Sequence, residues 1–153
     1  MLELFFLGLY GWLFKKFALG GSWADRTKGS PNYESKEFSE LSRISPKDFE
    51  YHCASWLRHK GYQVQISRNG GGDNNIDIYV SDSLGNLIGI AECKHWKKQV
   101  GAAPLKVLYA TMLNVGVKKS WFFSLNGFSQ KALEYAKNDI GEFQIELMEG
   151  KKI

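Results

Sequence analysis

Between Leu87 and Leu125 the chain spells a strand, a helix and a second strand in immediate succession, and this run limits the fold more than any other feature. Leu87 to Lys94 is apolar or small until its last three residues, and Ala103 to Val115 carries Leu105, Leu108, Tyr109, Met112 and Leu113 at spacings of three and four. Trp121 to Leu125 is then a short apolar strand. Strands joined by a helical crossover pair in parallel, and parallel pairing covers both faces of the sheet. Ile88 and Ile90 are expected on one face of the Leu87–Lys94 strand. Gly89, Ala91 and Cys93 then lie on the other, small enough for a helix to approach closely, so this strand reads as central.

The flanking segments extend the same sheet. Ser45-Pro46-Lys47-Asp48 is a helix start: a Ser cap, Pro at the first helical position and an acidic residue near the positive helix end. Phe49, Cys53, Trp56 and Leu57 follow at helical spacing, and Gly61 is the stop. Tyr62, Val64 and Ile66 then alternate with glutamines, Asn69 to Gly72 turn, and Ile76, Ile78 and Val80 mark a second strand. The turn Ser81 to Asn86 makes a hairpin with Leu87–Lys94. Ser129 caps a helix to Asp139, and Gln144 to Met148 is a last strand. The expected architecture is α/β: a central mixed β-sheet flanked by helices.

At 153 residues, with 44% hydrophobic and 14% aromatic content, the chain has enough apolar mass for one core and is neither disordered, collagenous nor coiled-coil. Cys53 and Cys93 lack zinc-ligand spacing, and His52, His59 and His95 form no HExxH pattern, which argues against a zinc site and for a reducing compartment. The net charge of +4 leans toward anionic partners. Near the amino end, Leu4 to Phe14 spans only about 16 Å as a helix, against roughly 30 Å for a bilayer core. Glu3 precedes this run and Lys15 and Lys16 follow it, the reverse of a secretory signal. A cytoplasmic domain is therefore expected. Residues 1–23 form a hydrophobic segment that either contacts the inner face of the membrane, packs on a partner or packs on the domain. Residues 24–44 read as a polar linker and residues 45–153 as the folded domain.

Charges that interrupt buried strands carry the chemistry, because a buried charge is costly unless it binds something. Asp77 breaks the run Ile76 to Val80, and Glu92 and Lys94 lie two apart at the end of the third strand, so both point to one side. Hairpin pairing can set Asp77 beside them. Two facing carboxylates repel, and a hard divalent cation such as Mg2+, with Mn2+ as a substitute, relieves that repulsion through oxygen ligands. With a neighbouring ammonium the set suits phosphodiester hydrolysis. For an isolated Glu-x-Lys pattern, however, a strand-end salt bridge is the commoner explanation.

The wider context is an ordered series: Phe49-Glu50, Gly61-Tyr62, Gly72-Asp73, Ile76-Asp77, Glu92-Cys93-Lys94 and Phe128-Ser129. In order and separation it resembles the catalytic domain of Mrr-type restriction endonucleases, within the wider PD-(D/E)xK nuclease group, over roughly Ser45 to Ile153. The resemblance implies a restriction-endonuclease-like core and a metal-dependent endonuclease acting on double-stranded DNA. It implies that Asp77 and Glu92 bind the metal with help from the backbone carbonyl of Cys93, and that Lys94 is the catalytic lysine. Glu50 is an auxiliary candidate, although a Glu early in a helix is also favourable for dipole reasons. Asp73 caps or braces its loop. Asn74 and Asn75 replace Gly found in many relatives, which Asn tolerates because it adopts left-handed backbone angles. Glu92 stands where many relatives have Gln.

Seven lysines and no acidic residue occur between Cys93 and Leu133. Lys97 and Lys98 are the expected DNA contacts, the others remain open, and His95 and Trp96 either line the cleft or join the core. Two other readings stay alive: a nuclease-fold DNA-binding module with negligible turnover, membrane-tethered through residues 1–23, and a resolvase of branched DNA. No stretch is left for a reader domain, so targeting is expected from residues 1–23, a partner protein or a homodimer.

Overall fold

The computed structural model describes residues 33–67, 76–138 and 140–153, which belong to one compact unit, Asn32–Ile153. Residues 1–23, the first part of the expected linker, and the loop with Gly72, Asp73, Asn74 and Asn75 lie outside the described residues. The elements are α1 (Phe38–Leu41), α2 (Pro46–His59), β1 (Gln63–Ile66), β2 (Ile78–Ser81), β3 (Leu87–Lys94), α3 (Ala102–Val115), β4 (Lys119–Ser124), α4 (Gln130–Asn138) and β5 (Gln144–Glu149), then a 3-10 turn, Gly150–Lys152. Among the described residues no helix is long and apolar enough to cross a membrane.

The five strands form one sheet in the order β1-β2-β3-β4-β5. β1, β2 and β3 are antiparallel neighbours, whereas β3, β4 and β5 run parallel. β3 is thus the middle strand and the one where pairing changes sense. The crossover through α3 causes this, since a helix long enough to span the sheet returns the chain in the same direction. Local signals set the helix ends. Ser45 Oγ accepts from the Asp48 N–H at 3.1 Å, Pro46 opens α2, and Gly116 ends α3 at φ 78°.

Period-two alternation splits the core. On one face Leu41, Phe49, Cys53, Ala54 and Leu57 pack against Ile78, Val80, Ala91, Cys93, Trp121 and Phe123. On the other, Leu105, Leu108, Met112, Ala132 and Tyr135 pack against Ile76, Ile90 and Phe122. Small side chains at Ala91 and Cys93 face α2, as expected. At Gly89 the room goes instead to the neighbouring strand: a Cβ there would lie 2.6 Å from the Lys119 carbonyl oxygen and 2.8 Å from the Trp121 ring.

Two expectations are corrected. Ile88 does not share a face with Ile90; it packs with the α2-side cluster. Val80 pairs with Gly89 while Ser81 pairs with Leu87, so Ile88 is an extra bulge residue, and the bulge reverses the alternation before it. Second, the boundary at Ser45 falls too late. Leu41 is fully buried in the α2-side core, Phe38 and Ile44 pack against that core, and Tyr33 stacks on the His59 ring at 5.1 Å. Glu37 and Glu40 form a reciprocal cap on α1. Phe38, Leu41 and Ile44 recur at spacings of three, but three apolar residues are too few to reveal a helical period among polar neighbours.

Candidate active site

The charged end of β3 lies at the carboxyl edge of the parallel part of the sheet, between α2 and α3. Asp77 sits just before β2 and is held by its main chain: its N–H donates to the Ala91 carbonyl at 3.1 Å, and its carbonyl accepts from the Ser67 N–H at 2.8 Å. Asp77 Oδ2 accepts from the Cys93 N–H at 2.6 Å, fixing the carboxylate against the main chain of Cys93. The pairing of Ile78 with Ala91 brings Asp77 level with Glu92.

Glu92 is only 5% exposed. Its Oε1 is ion-paired with Lys94 Nζ, whereas its Oε2 is buried without a hydrogen-bond partner. A buried carboxylate oxygen left unpaired is costly, so such groups ordinarily find a donor or a cation. Burial, the Asp77 carboxylate and, more weakly, Glu50 push the Glu92 pKa up to about 7, against the opposing pull of Lys94. Burial also raises the pKa of Asp77, although the Cys93 N–H and Lys94 oppose it. Glu50 on α2 is raised by burial and then by Asp77, with Lys47 and Lys94 opposing.

Asp77, Glu92, Lys94 and Glu50 therefore share one electrostatic neighbourhood. Glu50, Asp77, Cys93, Lys94, His95 and Trp96 help line a cleft of about 290 Å³, with Pro46 at its wall. A second cleft, about 320 Å³, lies on the α3 side of Lys94 between Glu92 and Ala103, Pro104, Val107 and Leu108. Sequence reasoning misses this second wall because the same side chains read simply as one face of an amphipathic helix. Asp73 lies outside the described residues.

Lys97 and Lys98 are exposed in the loop that leaves β3. His95 and Trp96 both line the cleft, and His95 also reaches the core. His95 Nε2 is 2.7 Å from the Leu41 carbonyl oxygen and its ring is 5.3 Å from that of Phe49, so it ties the loop to the core while edging the cleft. Trp96 remains 38% exposed, and its carbonyl accepts from Asn126 Nδ2 at 2.6 Å.

Residues 41–153 match the restriction endonuclease family Mrr_cat. The chain belongs to that family. The Mrr_cat match begins at Leu41, the residue at which α1 enters the core. A crystal structure of AF1548, a protein of unknown function, is 23% identical at a TM-score of 0.51, covering 65% of this chain and 55% of its own; it shares the fold. The MspJI restriction endonuclease in complex with a 27-mer oligonucleotide is 18% identical at a TM-score of 0.49, covering 75% of this chain and 29% of its own. The chain thus spans about half the length of the first protein and under a third of the second. No curated protein is similar enough to match.

Restriction-endonuclease-like domains generally use divalent metal ions, and the donor set here fits one. The unpartnered Oε2 of Glu92, and the rise in its pKa that burial and then the Asp77 carboxylate cause, are what a hard cation would relieve. Among the described residues no three His, Cys, Asp or Glu side chains are grouped to hold a metal. Glu50 is coupled to the pair electrostatically: Asp77 raises its pKa, and Glu50 in turn adds to the rise at Glu92.

Proposed function

We propose that this chain is a metal-dependent endonuclease that hydrolyses phosphodiester bonds in double-stranded DNA. Asp77, Glu92 and the backbone carbonyl of Cys93 hold Mg2+, or Mn2+ in its place, and Lys94 is the catalytic lysine. The observation that carries this reading is the buried, unpartnered oxygen of Glu92, a carboxylate whose pKa Asp77 helps raise, with one ammonium paired to its other oxygen. A bound divalent cation supplies Lewis acidity and charge neutralisation at the phosphoryl group. The chain supplies the rest. Asp77 is held by three main-chain hydrogen bonds, so its carboxylate is preorganised. Lys94 borders both clefts, where its ammonium meets phosphate oxygens and stabilises the charge that develops on them. Glu50 adds negative charge that strengthens the attraction for a dication.

The decisive experiment is conversion of supercoiled plasmid to nicked and linear forms. Purified protein should cleave with Mg2+ and stop with EDTA, and Asp77→Ala should abolish the reaction. Cleavage that survives chelation or the substitution refutes the assignment. A second reading rests on the Lys94–Glu92 ion pair, which is also what a purely structural strand end would contain. A DNA-binding module without turnover would bind plasmid and never nick it.

Lys97 and Lys98 contact phosphates in this reading, not bases. The double change Lys97→Ala/Lys98→Ala should weaken binding similarly for unrelated sequences and reduce the salt slope by about one per lysine. Titration of labelled duplexes at several salt concentrations measures it, and sequence-dependent loss would indicate base contacts instead.

A further inference from the structure

Trp96 has an environment that neither the core nor the metal-binding residues explain. Trp96 belongs to neither apolar cluster and leaves more than a third of its surface exposed at the cleft rim. Its backbone is nonetheless fixed, by the Asn126 side chain on its own carbonyl and by the His95 ring against the Leu41 carbonyl. The indole is therefore displayed on an anchored loop. Two ammonium groups flank it: Lys94 Nζ at 5.6 Å and Lys98 Nζ at 5.7 Å from the ring centroid. An exposed π-face with cations beside it is the arrangement that receives a nucleobase while the cations receive the adjoining phosphates. In an intact duplex the base faces are already stacked, so a ring at the rim of the catalytic cleft can stack only on a base that has left the helix.

We infer that Trp96 is a stacking platform for an unpaired nucleobase next to the scissile phosphate, and that the enzyme prefers DNA carrying a bulged or frayed nucleotide over perfect duplex. This rests on the nuclease reading of the same cleft and refines its substrate class. Lys94 and Lys98 leave the ring for the flanking phosphates as the base arrives, which places Lys94 at the reacting group.

The test uses duplexes identical except for one extra, unpaired 2-aminopurine, with protein in EDTA so that binding is read without cleavage. Wild type should bind the bulged duplex roughly tenfold more tightly than the perfect one, the scale of one base–aromatic stack, and should quench the 2-aminopurine emission. Trp96→Ala should lose both the preference and the quench, and Trp96→Phe should keep much of each. Equal affinity for the two duplexes, or a quench undiminished in Trp96→Ala, overturns the inference. Plasmid cleavage by wild type in Mg2+ is scored separately: cleavage without bulge preference defeats the platform alone, whereas bulge binding without cleavage under any metal defeats the nuclease reading alone.

Discussion

Lys94→Ala is expected to slow plasmid cleavage by at least about 100-fold, the scale on which a single preorganised electrostatic group acts in a transition state, while the protein remains folded. Truncation removes the only ammonium paired with Glu92 among the described residues. Breaking a buried ion pair usually destabilises strongly because a lone charge is left behind. Here the remaining group has another course open to it. Glu92 already holds its proton to about pH 7, and without Lys94 it would hold it to higher pH still, so the variant carries a neutral carboxyl instead of an uncompensated charge. Circular dichroism and thermal unfolding near neutral pH should therefore look close to wild type when nicking is lost. Lys94→Arg should not restore the rate, since the planar guanidinium is larger and presents its donors in a fixed fork. Undiminished nicking by Lys94→Ala would remove the lysine from the mechanism.

What is readable in the sequence follows from strong local signals. The strand, helix and strand between Leu87 and Ser124 have one consistent topology, and Ser45-Pro46 and Gly116 mark helix ends through their own backbone chemistry. Asp77, Glu92 and Lys94 stand out because charges on apolar strands have no inexpensive explanation. Long-range facts are not readable. The bulge at Ile88 depends on how β2 meets β3, and Gly89, which can mark either a bulge or a close backbone approach, does not tell the two apart. The small residue at Gly89 does signal room, but only the fold reveals that Trp121 and the Lys119 backbone use it. Likewise the exposure of Trp96 depends on Asn126, thirty residues away, holding its carbonyl. In the sequence an ion pair and a candidate metal site stand as rivals. The geometry allows Glu92 to serve Lys94 through one oxygen while leaving the other unpartnered.

That divided carboxylate makes Glu92→Gln the substitution with the largest expected effect on stability, and the size of that effect depends on pH. Unfolded Glu92 ionises near 4.5, but in the fold its pKa is about 7. Between those values the folded protein binds the extra proton, so the contribution of Glu92 to stability is fully present below about pH 4.5, declines as pH rises and is lost above about pH 7. The swing is on the order of 3 kcal/mol, because each tenfold change in proton affinity is worth about 1.4 kcal/mol. Glutamine cannot ionise and escapes this loss. Metal-free Glu92→Gln should thus unfold roughly 5 °C or more above wild type near pH 8, and the advantage should vanish near pH 4. Scanning calorimetry in EDTA across that range measures both limbs. An advantage independent of pH would mean that shape, not ionisation, separates the two side chains. The same proton governs loading: a cation at Glu92 must compete with it below about pH 7, so the Mg2+ needed for half-maximal nicking should fall as pH rises from 6 to 8 in wild type and change much less in Glu92→Gln. Stability and metal capture would then respond to pH in opposite directions through one side chain, as expected where a buried charge is retained for function at the expense of the unliganded fold.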